Sequence, residues 1–425
     1  MRATFVFSWL LISLLVIAPA AIAAESDADR LLELLVQKKI LTQSDATAFR
    51  ADLAIKKQDE KQPLAAPDWV QNIKLKGDVR TRYEWDKNKG QHDNSRARIR
   101  ARIGLEAKVN NKLKAGIGIA TGKTSDPRSR DITLGNSSST NTPGSGKDII
   151  LDYAYGQYTP VKWLTLTAGK FQNNLWQPLD VFWDNDLTPE GFGINLSHKL
   201  NSKVDLFVND LFFILKNDSR TDNQPFLEAL QPGLNWAVND NVGLKSAFTY
   251  YLFKSVKGAQ KFSDSKSGTA PYASSGNTLV GGRYKYNYNS VQGTSELTFK
   301  KPFRGLFPYA SIFGDYIYNV SNISTGAGGY DLGLKFGTEK ISDWKQWQAK
   351  LVYSKLGRDS RLDILTDNNR YGGNTNSKAI EAIFEVGVGK NTSVVFDYYD
   401  SKSLIDNGLG YSPEQVFQVD WNLRF

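Results

Sequence analysis

Arginine alternates with small or aliphatic side chains through residues 96–103, and this period of two constrains the fold more than any other feature of the chain. Successive side chains of a β-strand point to opposite faces, so the segment predicts a strand with one basic and one apolar face. A similar alternation occupies residues 73–83, and the period of two begins at Trp69. From there to the C-terminus we expect an all-β structure.

The connections between the predicted strands alternate between short turns and long polar loops. Seven turns, such as Asn110-Asn111, separate eight long loops, at residues 86–95, 122–147, 172–190, 216–224, 254–289, 319–328, 358–377 and 401–414. This arrangement brackets sixteen strands, and a further hairpin within 279–289 would raise the number to eighteen. Loops on one rim and turns on the other are typical of outer-membrane barrels. The sequence therefore predicts an antiparallel transmembrane β-barrel over residues 69–425.

The N-terminal residues have the pattern of a cleavable export signal. Arg2 supplies a positive charge, residues 5–17 are almost entirely apolar, and Ala21-Ile22-Ala23 gives the small-x-small pattern that signal peptidase requires. We therefore expect a signal peptide over residues 1–23. The chain has no cysteine, which excludes disulfide frameworks and thiolate metal sites. Export together with a barrel gives the bacterial outer membrane as the expected location.

Residues 24–62 are the only segment with helical periodicity. Leucines recur there at helical spacings, and Thr42 with Asp45 predicts the N-cap of a second helix that runs through Leu53. Two short helices with an apolar stripe need a partner to cover it. We interpret the segment as a periplasmic helical hairpin or coiled-coil stalk, with a partly ordered tail as the alternative. Residues 63–68 are predicted to be a linker.

The C-terminal strand carries apolar side chains on one face and ends on an aromatic residue. These side chains are Phe417, Val419, Trp421, Leu423 and Phe425. A last strand of this pattern resembles the recognition signal of the barrel-assembly machinery, which we therefore expect as a partner. A soluble strand that happens to end in phenylalanine is the alternative.

Several segments together resemble the putative porin family of bacterial outer-membrane proteins, which is distantly similar to phosphate-selective porins. The matching segments are LLELLVQKKILT (31–42), KLKGDVRTRY (74–83), RARIRARIGLEA (96–107), ATG (120–122), DPRS (126–129), TLG (133–135) and WDNDLTPEG (183–191). The resemblance runs over most of the N-terminal half and returns at the last strand. It implies an outer-membrane barrel with channel activity and does not supply a substrate.

Basic side chains share one face of the first predicted hairpin, and we call them the basic ladder: Lys74, Lys76, Arg80, Arg82, Arg96, Arg98, Arg100 and Arg102. A charge on the lipid face costs about 2–4 kcal/mol at the bilayer midplane, so the ladder is expected to line the lumen. Guanidinium groups in a water-filled pore attract anions, and the net charge of +9 agrees with an anion preference. Alternatively, the arginines pair with Asp78, Glu84, Glu106 and loop carboxylates and only brace the wall.

The third long loop, residues 172–190, is the candidate for a pore constriction. It combines the aromatic residues Trp176, Phe182 and Trp183 with the carboxylates Asp180, Asp184, Asp186 and Glu190. We expect the carboxylates to face the basic ladder across the lumen, and an ordinary external loop is the alternative. Calcium binding at residues 184–186 is disfavoured, because the ligand spacing does not continue. No metal or cofactor is predicted.

Catalysis is not expected of this chain. It has two histidines, His92 and His198, which the predicted topology places on opposite rims, and it lacks a Gly-x-Ser-x-Gly motif. We therefore expect a water-filled channel for small polar solutes or ions. Two other hypotheses remain open. One is a plugged structural barrel that tethers the envelope through its N-terminal helices, and the other is a secreted β-sandwich that binds carbohydrate.

The expected partners follow from this location. They are outer-membrane lipid and lipopolysaccharide, whose phosphates suit an excess of basic residues, together with small polar or anionic solutes. A homotrimer is expected by analogy with sixteen-stranded porins. Nucleic acid is not an expected partner of an exported protein of this kind.

Overall fold

The structure is a computed structural model, and it describes residues 27–60, 73–88, 92–135, 143–217, 224–262, 276–405 and 413–425. The chain divides into two units, residues 1–67 and 68–425. The expected signal peptide (1–23) and linker (63–68) lie outside the described residues.

Two helices make up the described part of the first unit, α1 (Asp27–Gln37) and α2 (Gln43–Glu60). The backbone N–H of Thr42 donates to Asp45 Oδ2 at 3.1 Å, and the N–H of Asp45 donates to Thr42 Oγ1 at 3.3 Å. This reciprocal capping box confirms the predicted N-cap. The helix runs beyond its predicted end at Leu53, because residues 54–60 contain no glycine or proline to stop it.

The apolar side chains of the helices are only partly covered by the described residues of this unit. Leu32 and Ala46 are buried, but Leu34, Ile40 and Phe49 are 53%, 66% and 58% exposed. Within the described part of the chain, neither helix has the length and hydropathy that crossing a membrane requires.

The described residues of the second unit are dominated by β-strands. In chain order these are β1 (Ile73–Asn88), β2 (Asn94–Lys108), β3 (Leu113–Thr121), β4 (Ile132–Thr133), β5 (Ile149–Val161), β6 (Leu164–Lys170), β7 (Glu190–Lys199), β8 (Val204–Ile214), β9 (Phe226–Ala237), β10 (Val242–Lys254), β11 (Leu279–Val280), β12 (Arg283–Tyr284), β13 (Ser290–Lys300), β14 (Tyr309–Asn319), β15 (Gly328–Gly337), β16 (Trp347–Leu356), β17 (Ser377–Gly389), β18 (Thr392–Ser403) and β19 (Glu414–Arg424). β4, β11 and β12 have two residues each and lie in loops, and the other strands form an antiparallel barrel.

The barrel closes because the last strand pairs with the first. β19 runs antiparallel to β1, with Val79 opposite Leu423, and the other neighbours follow in sequence order. The predicted barrel of sixteen strands is confirmed. The alternative of eighteen strands, with an additional barrel hairpin within 279–289, is wrong, because β11 and β12 form a separate two-stranded sheet. Two residues are also far short of the nine to eleven or so that a transmembrane strand requires.

Long and short connections lie on opposite rims, as predicted. The rim that we call the loop rim carries the longest connections, including residues 122–148, 171–189, 255–289 and 357–376. The opposite rim, the turn rim, has connections as short as residues 162–163 and 390–391, and it includes a one-turn helix, α3 (Pro302–Gly305).

Burial along the strands follows their alternation, with apolar residues outside and polar residues inside. On the outer face Ile117, Leu332 and Trp421 are 53%, 58% and 50% exposed, whereas Thr249 and Ser354 on the inner face are completely buried. A soluble sandwich has the reverse arrangement, because its apolar faces meet in a core. This distribution therefore fits a barrel surrounded by lipid.

Phe425 completes the closure of the barrel at the turn rim. Its N–H donates to Gly77 O at 3.0 Å, and its carbonyl oxygen accepts from Gly77 N–H at 2.9 Å. A Cβ atom at Gly77 would lie 2.5 Å from the Phe425 ring and 2.6 Å from the carbonyl oxygen of Arg102. The terminal ring can therefore lie on β1 only because residue 77 has no side chain.

Gly77→Val is therefore expected to impair barrel closure. The overpacking should cost about 1–3 kcal/mol and lower the yield of refolded barrel, read as the heat-modifiable band on cold and boiled SDS gels. Gly156→Val is the matched control, because a Cβ atom at that strand glycine meets nothing within 4 Å. Equal yields of the two variants would contradict the prediction.

Two loops of the loop rim fold into the lumen and pack on the inner wall. Residues 171–189 and 357–376 make up what we call the plug, and its second part contains two 3-10 turns, Asp363–Leu365 and Tyr371–Gly373. The plug contributes Val181, Phe182, Trp183, Leu187, Leu362 and Leu365 to an apolar cluster with the wall residues Leu211, Leu227, Tyr251 and Phe253. The apolar core of this barrel thus lies in its lumen.

Candidate functional site

The arginines of the basic ladder lie on the inner face of β1 and β2. Arg80 lies opposite Arg100 in the register of the two strands. Arg80 also contacts Asp131 in the loop after β3, and Arg102 Nη1 donates to Asp186 of the plug at 3.4 Å. Because the plug lies inside the barrel, these contacts place the ladder on the lumen side of the wall.

Every arginine of the ladder is paired with a carboxylate. Arg82 donates to both carboxylate oxygens of Asp420 on β19, at 2.6 and 2.7 Å, and Arg98 Nη1 donates to Glu84 at 3.0 Å. The other pairs are Arg80 with Asp131, Arg96 with Glu84, Arg100 with Asp78, and Arg102 with Asp78 and Asp186. Because these carboxylates nearly balance the arginines, the ladder adds little net charge to the lumen.

The carboxylate of Asp131 holds the loop after β3 against the ladder. Burial raises the pKa of Asp131, but Arg80, Arg82 and Arg98 outweigh this effect and hold the pKa well below its usual range. Asp131 is therefore ionised at every pH at which the barrel is expected to work. The contact fixes this loop to the wall instead of leaving the arginines open to solutes.

The two lysines of the ladder lie closer to the turn rim. Lys76 Nζ donates to Glu106 Oε2 at 2.6 Å while its side chain stays 57% exposed, and Lys74 lies opposite Glu106 in the register. Both lysines are exposed to water, unlike most of the arginines.

The structure separates the four carboxylates predicted for the constriction loop. Asp186 contacts the ladder directly, because its Oδ1 lies 3.4 Å from Arg102 Nη1 and 3.9 Å from Arg100 Nη1. Asp184 turns to the other part of the plug, where it accepts the N–H of Asn368 at 2.9 Å. The two side chains therefore diverge and do not converge on a common point.

The remaining two carboxylates are far from the ladder's contacts. Asp180 accepts from Asn185 Nδ2 at 2.9 Å within the plug. Glu190 is the first residue of β7 and forms an ion pair with Lys170 Nζ at 2.9 Å on the loop rim. Of the four predicted residues, Asp186 is the one whose described contacts reach the ladder.

Sequence reasoning missed the second part of the plug, residues 357–376. It is joined to the first part by a hydrogen bond from Asp184 N–H to Leu365 O at 2.8 Å and one from Arg361 Nε to Phe182 O at 3.1 Å. The sequence does contain a signal, since Leu362, Ile364 and Leu365 lie close together within a loop that is mostly polar. External loops have no need of such side chains, whereas a loop packed in the lumen does.

A third loop clamps the plug from the side of the ladder. Arg128, in the loop after β3, donates through Nη1 to the carbonyl oxygens of Asp363, Thr366 and Gly373 at 2.8, 2.9 and 2.9 Å. Hydrogen bonds from a charged donor are roughly twice as strong as neutral ones. The plug is therefore a folded element held by the loops around it.

Arg370 anchors the plug to the barrel wall at β17. Its side chain is buried, pairs with Glu381 on β17, and has Nη1 at 3.7 Å from Asp367 Oδ2. Its guanidinium carbon lies 5.8 Å from the centre of the Tyr399 ring on β18. The acidic groups on which its charge acts are Asp180, Asp331, Asp367 and Glu381. Arg370 therefore neutralises a recess rich in carboxylates.

Burial makes the carboxylates of the plug hard to ionise. Burial and the neighbouring charge of Asp367 raise the pKa of Asp180 to about 6, although Arg370 and Lys350 oppose the shift. Burial also raises the pKa of Asp184 well above its usual range. Because folding raises the pKa of Asp180, the protonated carboxyl stabilises the folded plug fully below about pH 4. This stabilisation is lost as the pH rises from about 4 to about 6.

We therefore expect the plug to be held more firmly at pH 4 than at pH 7. Single-channel conductance should rise with pH across this window, because ionisation of Asp180 adds a negative charge to a recess that already has an excess of carboxylates. Asp180→Asn should flatten the rise, since an amide does not titrate. Conductance that falls with rising pH would refute the assignment.

Three lysines line the inner wall on the turn-rim side of the plug, and we call them the lysine trio: Lys245 on β10, Lys335 on β15 and Lys350 on β16. Lys245 Nζ lies 4.6 Å from the centre of the Trp176 ring in the plug, and Lys335 Nζ lies 4.8 Å from that of Tyr309. Within the described part of the chain, none of the three forms an ion pair with a carboxylate.

The placement of two members of the trio is unfavourable for the fold, whereas the third, Lys245, lies opposite Glu296 in the register of β10 and β13. Lys335 lies directly opposite Lys350 in the register of β15 and β16. Like charges at directly opposite positions of a strand pair destabilise a sheet. Lys335 and Lys350 therefore do not stabilise each other across the strand pair, and the nearest carboxylates act on them from a greater distance.

Comparisons with known proteins agree with this architecture. The sequence profile of the family described as "Putative porin" matches residues 85–295 and 285–425. No curated protein matches the chain. Among solved structures, a high-pH structure of Pseudomonas putida OprB is similar at 14% identity, with a TM-score of 0.50 over 84% of this chain and 95% of OprB. A triple mutant of the Rhodopseudomonas blastica porin aligns at 11% identity, with a TM-score of 0.44 over 83% of this chain and 100% of that porin.

The family match extends over nearly the whole barrel, and the likeness to OprB shows a shared fold. A closed barrel with an apolar outer face and a charged lumen is the architecture of an outer-membrane channel. The chain therefore belongs to the putative porin family of outer-membrane channel proteins.

Proposed function

We propose that the protein passes small anions and polar solutes through the barrel, and that the lysine trio, more than the basic ladder, sets the preference for anions. The supporting observation is the difference in pairing. The ladder arginines are matched by carboxylates, whereas Lys245, Lys335 and Lys350 have no such partner among the described residues. A positive charge that forms no direct ion pair raises the local concentration of anions in a narrow aqueous path.

The wider inner face on the turn-rim side supports the same sign of selectivity. Its basic residues are Lys74, Lys76, Lys108, Lys114, Lys199, Lys245, Lys335, Lys350 and Arg424, and its carboxylates are Glu106, Asp205, Glu296, Glu385 and Asp397. An anion that moves between the plug and the turn rim therefore travels along a wall of net positive charge. The plug narrows the path at the loop rim, so we propose passage of small solutes only.

Reversal potentials in a salt gradient across a planar bilayer test this proposal. The triple variant Lys245→Gln, Lys335→Gln and Lys350→Gln is expected to lose most of the anion preference. Its ratio of anion to cation permeability should fall about five-fold. The double variant Arg96→Gln and Arg102→Gln is the matched control, because it removes the two most exposed arginines of the ladder. Cation preference in the unmodified protein, or loss of selectivity only in the ladder variant, would refute the proposal.

A plugged structural barrel is the second candidate function, and the apolar cluster in the lumen is what favours it. In this alternative the helices of the first unit tether the envelope and the barrel conducts no solute. Stepwise openings in single-channel recordings would favour the channel, and a silent bilayer would favour the structural protein. A β-sandwich that binds carbohydrate is not retained, because the closed barrel replaces it.

The cellular context of the channel is part of the proposal. We propose that residues 1–23 are removed on export, that residues 24–62 lie in the periplasm, and that the barrel-assembly machinery reads the C-terminal strand. Lipopolysaccharide at the loop rim and a homotrimeric assembly are proposed by analogy with other sixteen-stranded porins.

A further inference from the structure

A cavity of about 490 Å³ opens at the loop rim, apart from the basic ladder and the lysine trio. Its lining comes from the loop after β3, both parts of the plug, the end of β8 and the loop after β10. The volume falls within the range of about 300–1,000 Å³ that small-molecule sites occupy. The cavity therefore has the size of a ligand site and lies where a solute first meets the protein.

The floor of the cavity is apolar. Leu187, Phe213 and Leu365 are buried members of the cluster in the lumen, and Phe262 and Ile364 pack against that cluster. A floor that belongs to a packed core is held in place before a ligand arrives. It favours the apolar body of a ligand, because burying that body releases water from both surfaces.

The rim of the cavity is basic. It carries three lysines and one carboxylate: Lys170, Lys216, Lys261 and Glu190. Lys170 Nζ donates to Thr188 O at 3.2 Å and to Glu190 at 2.9 Å, and Lys261 Nζ lies 3.5 Å from Asp363 Oδ2. An ammonium group has three N–H donors, so Lys170 retains one donor for a ligand and Lys261 retains more.

We propose that this cavity binds small carboxylates with an apolar body, of which benzoate is the simplest probe. The carboxylate would accept hydrogen bonds from Lys170 and Lys261, while the ring would lie on the floor formed by the plug. The cavity would then hold solutes of this class at the mouth of the barrel. That capture role rests on the proposed passage of anions, whereas the binding itself does not.

Isothermal titration calorimetry of the intact protein in detergent tests the binding. Benzoate is expected to bind, benzyl alcohol to bind at least about ten-fold more weakly, and benzylamine to bind more weakly still, because the three share an apolar ring and differ in charge. Equal binding of benzoate and benzyl alcohol would overturn the proposal, since it would show partition into apolar surface or detergent.

Two variants separate the charge of the rim from the shape of the floor. Lys261→Gln is expected to weaken benzoate binding about five-fold, and Ile364→Trp, which fills the floor without changing charge, to weaken it at least as much. Lys257→Gln is the matched control, because this exposed lysine lies in the same loop and does not line the cavity. Native affinity in both cavity variants, with a normal heat-modifiable band, would place any binding elsewhere and overturn the proposal.

The calorimetric result is independent of channel activity. Benzoate binding without anion preference in the bilayer would support the proposed binding at the cavity and refute the proposed selectivity. Anion preference without benzoate binding would support the proposed selectivity and refute the proposed binding at the cavity.

Discussion

Arg370→Gln is expected to release the plug from the barrel wall and to raise single-channel conductance about two-fold or more. Arg370 is the cation that neutralises a buried recess, where it pairs with Glu381 and Asp367. Removing one partner of a buried ion pair costs about 3–5 kcal/mol, because the other charge stays buried without compensation. We expect the plug to leave the recess, because the unpaired carboxylates then become hydrated.

The barrel itself should stay folded in this variant, because backbone hydrogen bonds between neighbouring strands hold it together and these do not involve the plug. Arg424→Gln is the matched control. Arg424 also faces the lumen and pairs with a carboxylate, Glu385, at 3.3 Å, but it is 45% exposed and has no described contact with the plug. Unchanged conductance in the Arg370 variant, or an equal rise in both variants, would show that Arg370 does not hold the plug.

Arg82→Gln is expected to destabilise the seam at which the barrel closes. Arg82 on β1 is buried and donates two hydrogen bonds to Asp420 on β19, and it lies 3.7 Å from Asp131. Its loss leaves these carboxylates with less compensation in the interior, and we expect the free energy of unfolding to fall by about 3–5 kcal/mol. Urea unfolding followed by tryptophan fluorescence would measure the loss.

Arg96→Gln is the matched control within the same ladder. Its side chain is 27% exposed, and its partner Glu84 keeps an ion pair with Arg98 at 3.0 Å. Partly exposed pairs of this kind contribute about 0–1 kcal/mol, so the control should unfold near the unmodified protein. If the two variants lose the same stability, burial at the seam is not what gives Arg82 its importance.

The wall of the barrel could be predicted from the sequence because the pattern that specifies a strand lies within a few neighbouring residues. A strand turns alternate side chains to alternate faces, so the pattern from Arg96 to Ile103 fixes both a lipid-facing and a lumen-facing side. The number of strands follows from the turns that interrupt such patterns. The expectation of an eighteen-strand variant failed where the pattern was weakest, at β11 and β12, whose two-residue strands carry no periodicity.

The sequence offered Asp78 and Glu84 on the neighbouring strand as partners of the arginines, and the structure contains these pairs. The pairs between residues remote in the chain could not be predicted in the same way. Arg82 meets Asp420 and Arg128 meets Asp363 across separations of more than two hundred residues, and such contacts depend on the closed barrel. The second part of the plug was missed for the same reason. Leu362 and Leu365 are unusual in a mostly polar loop, but only the folded chain shows that they belong to one apolar cluster with Leu211 and Leu227 on the wall.

The sequence by itself determined that this chain forms a barrel, which face of each strand meets lipid, and where the arginines point, because each follows from the period of two. The tertiary structure decided which charges remain available to a solute. The folded chain pairs the ladder arginines with carboxylates from β1, β19, the loop after β3 and the plug. Among the described residues, the lysine trio forms no such ion pair. Electrostatic potential depends on distances between residues remote in the chain, which alternation along one strand does not encode.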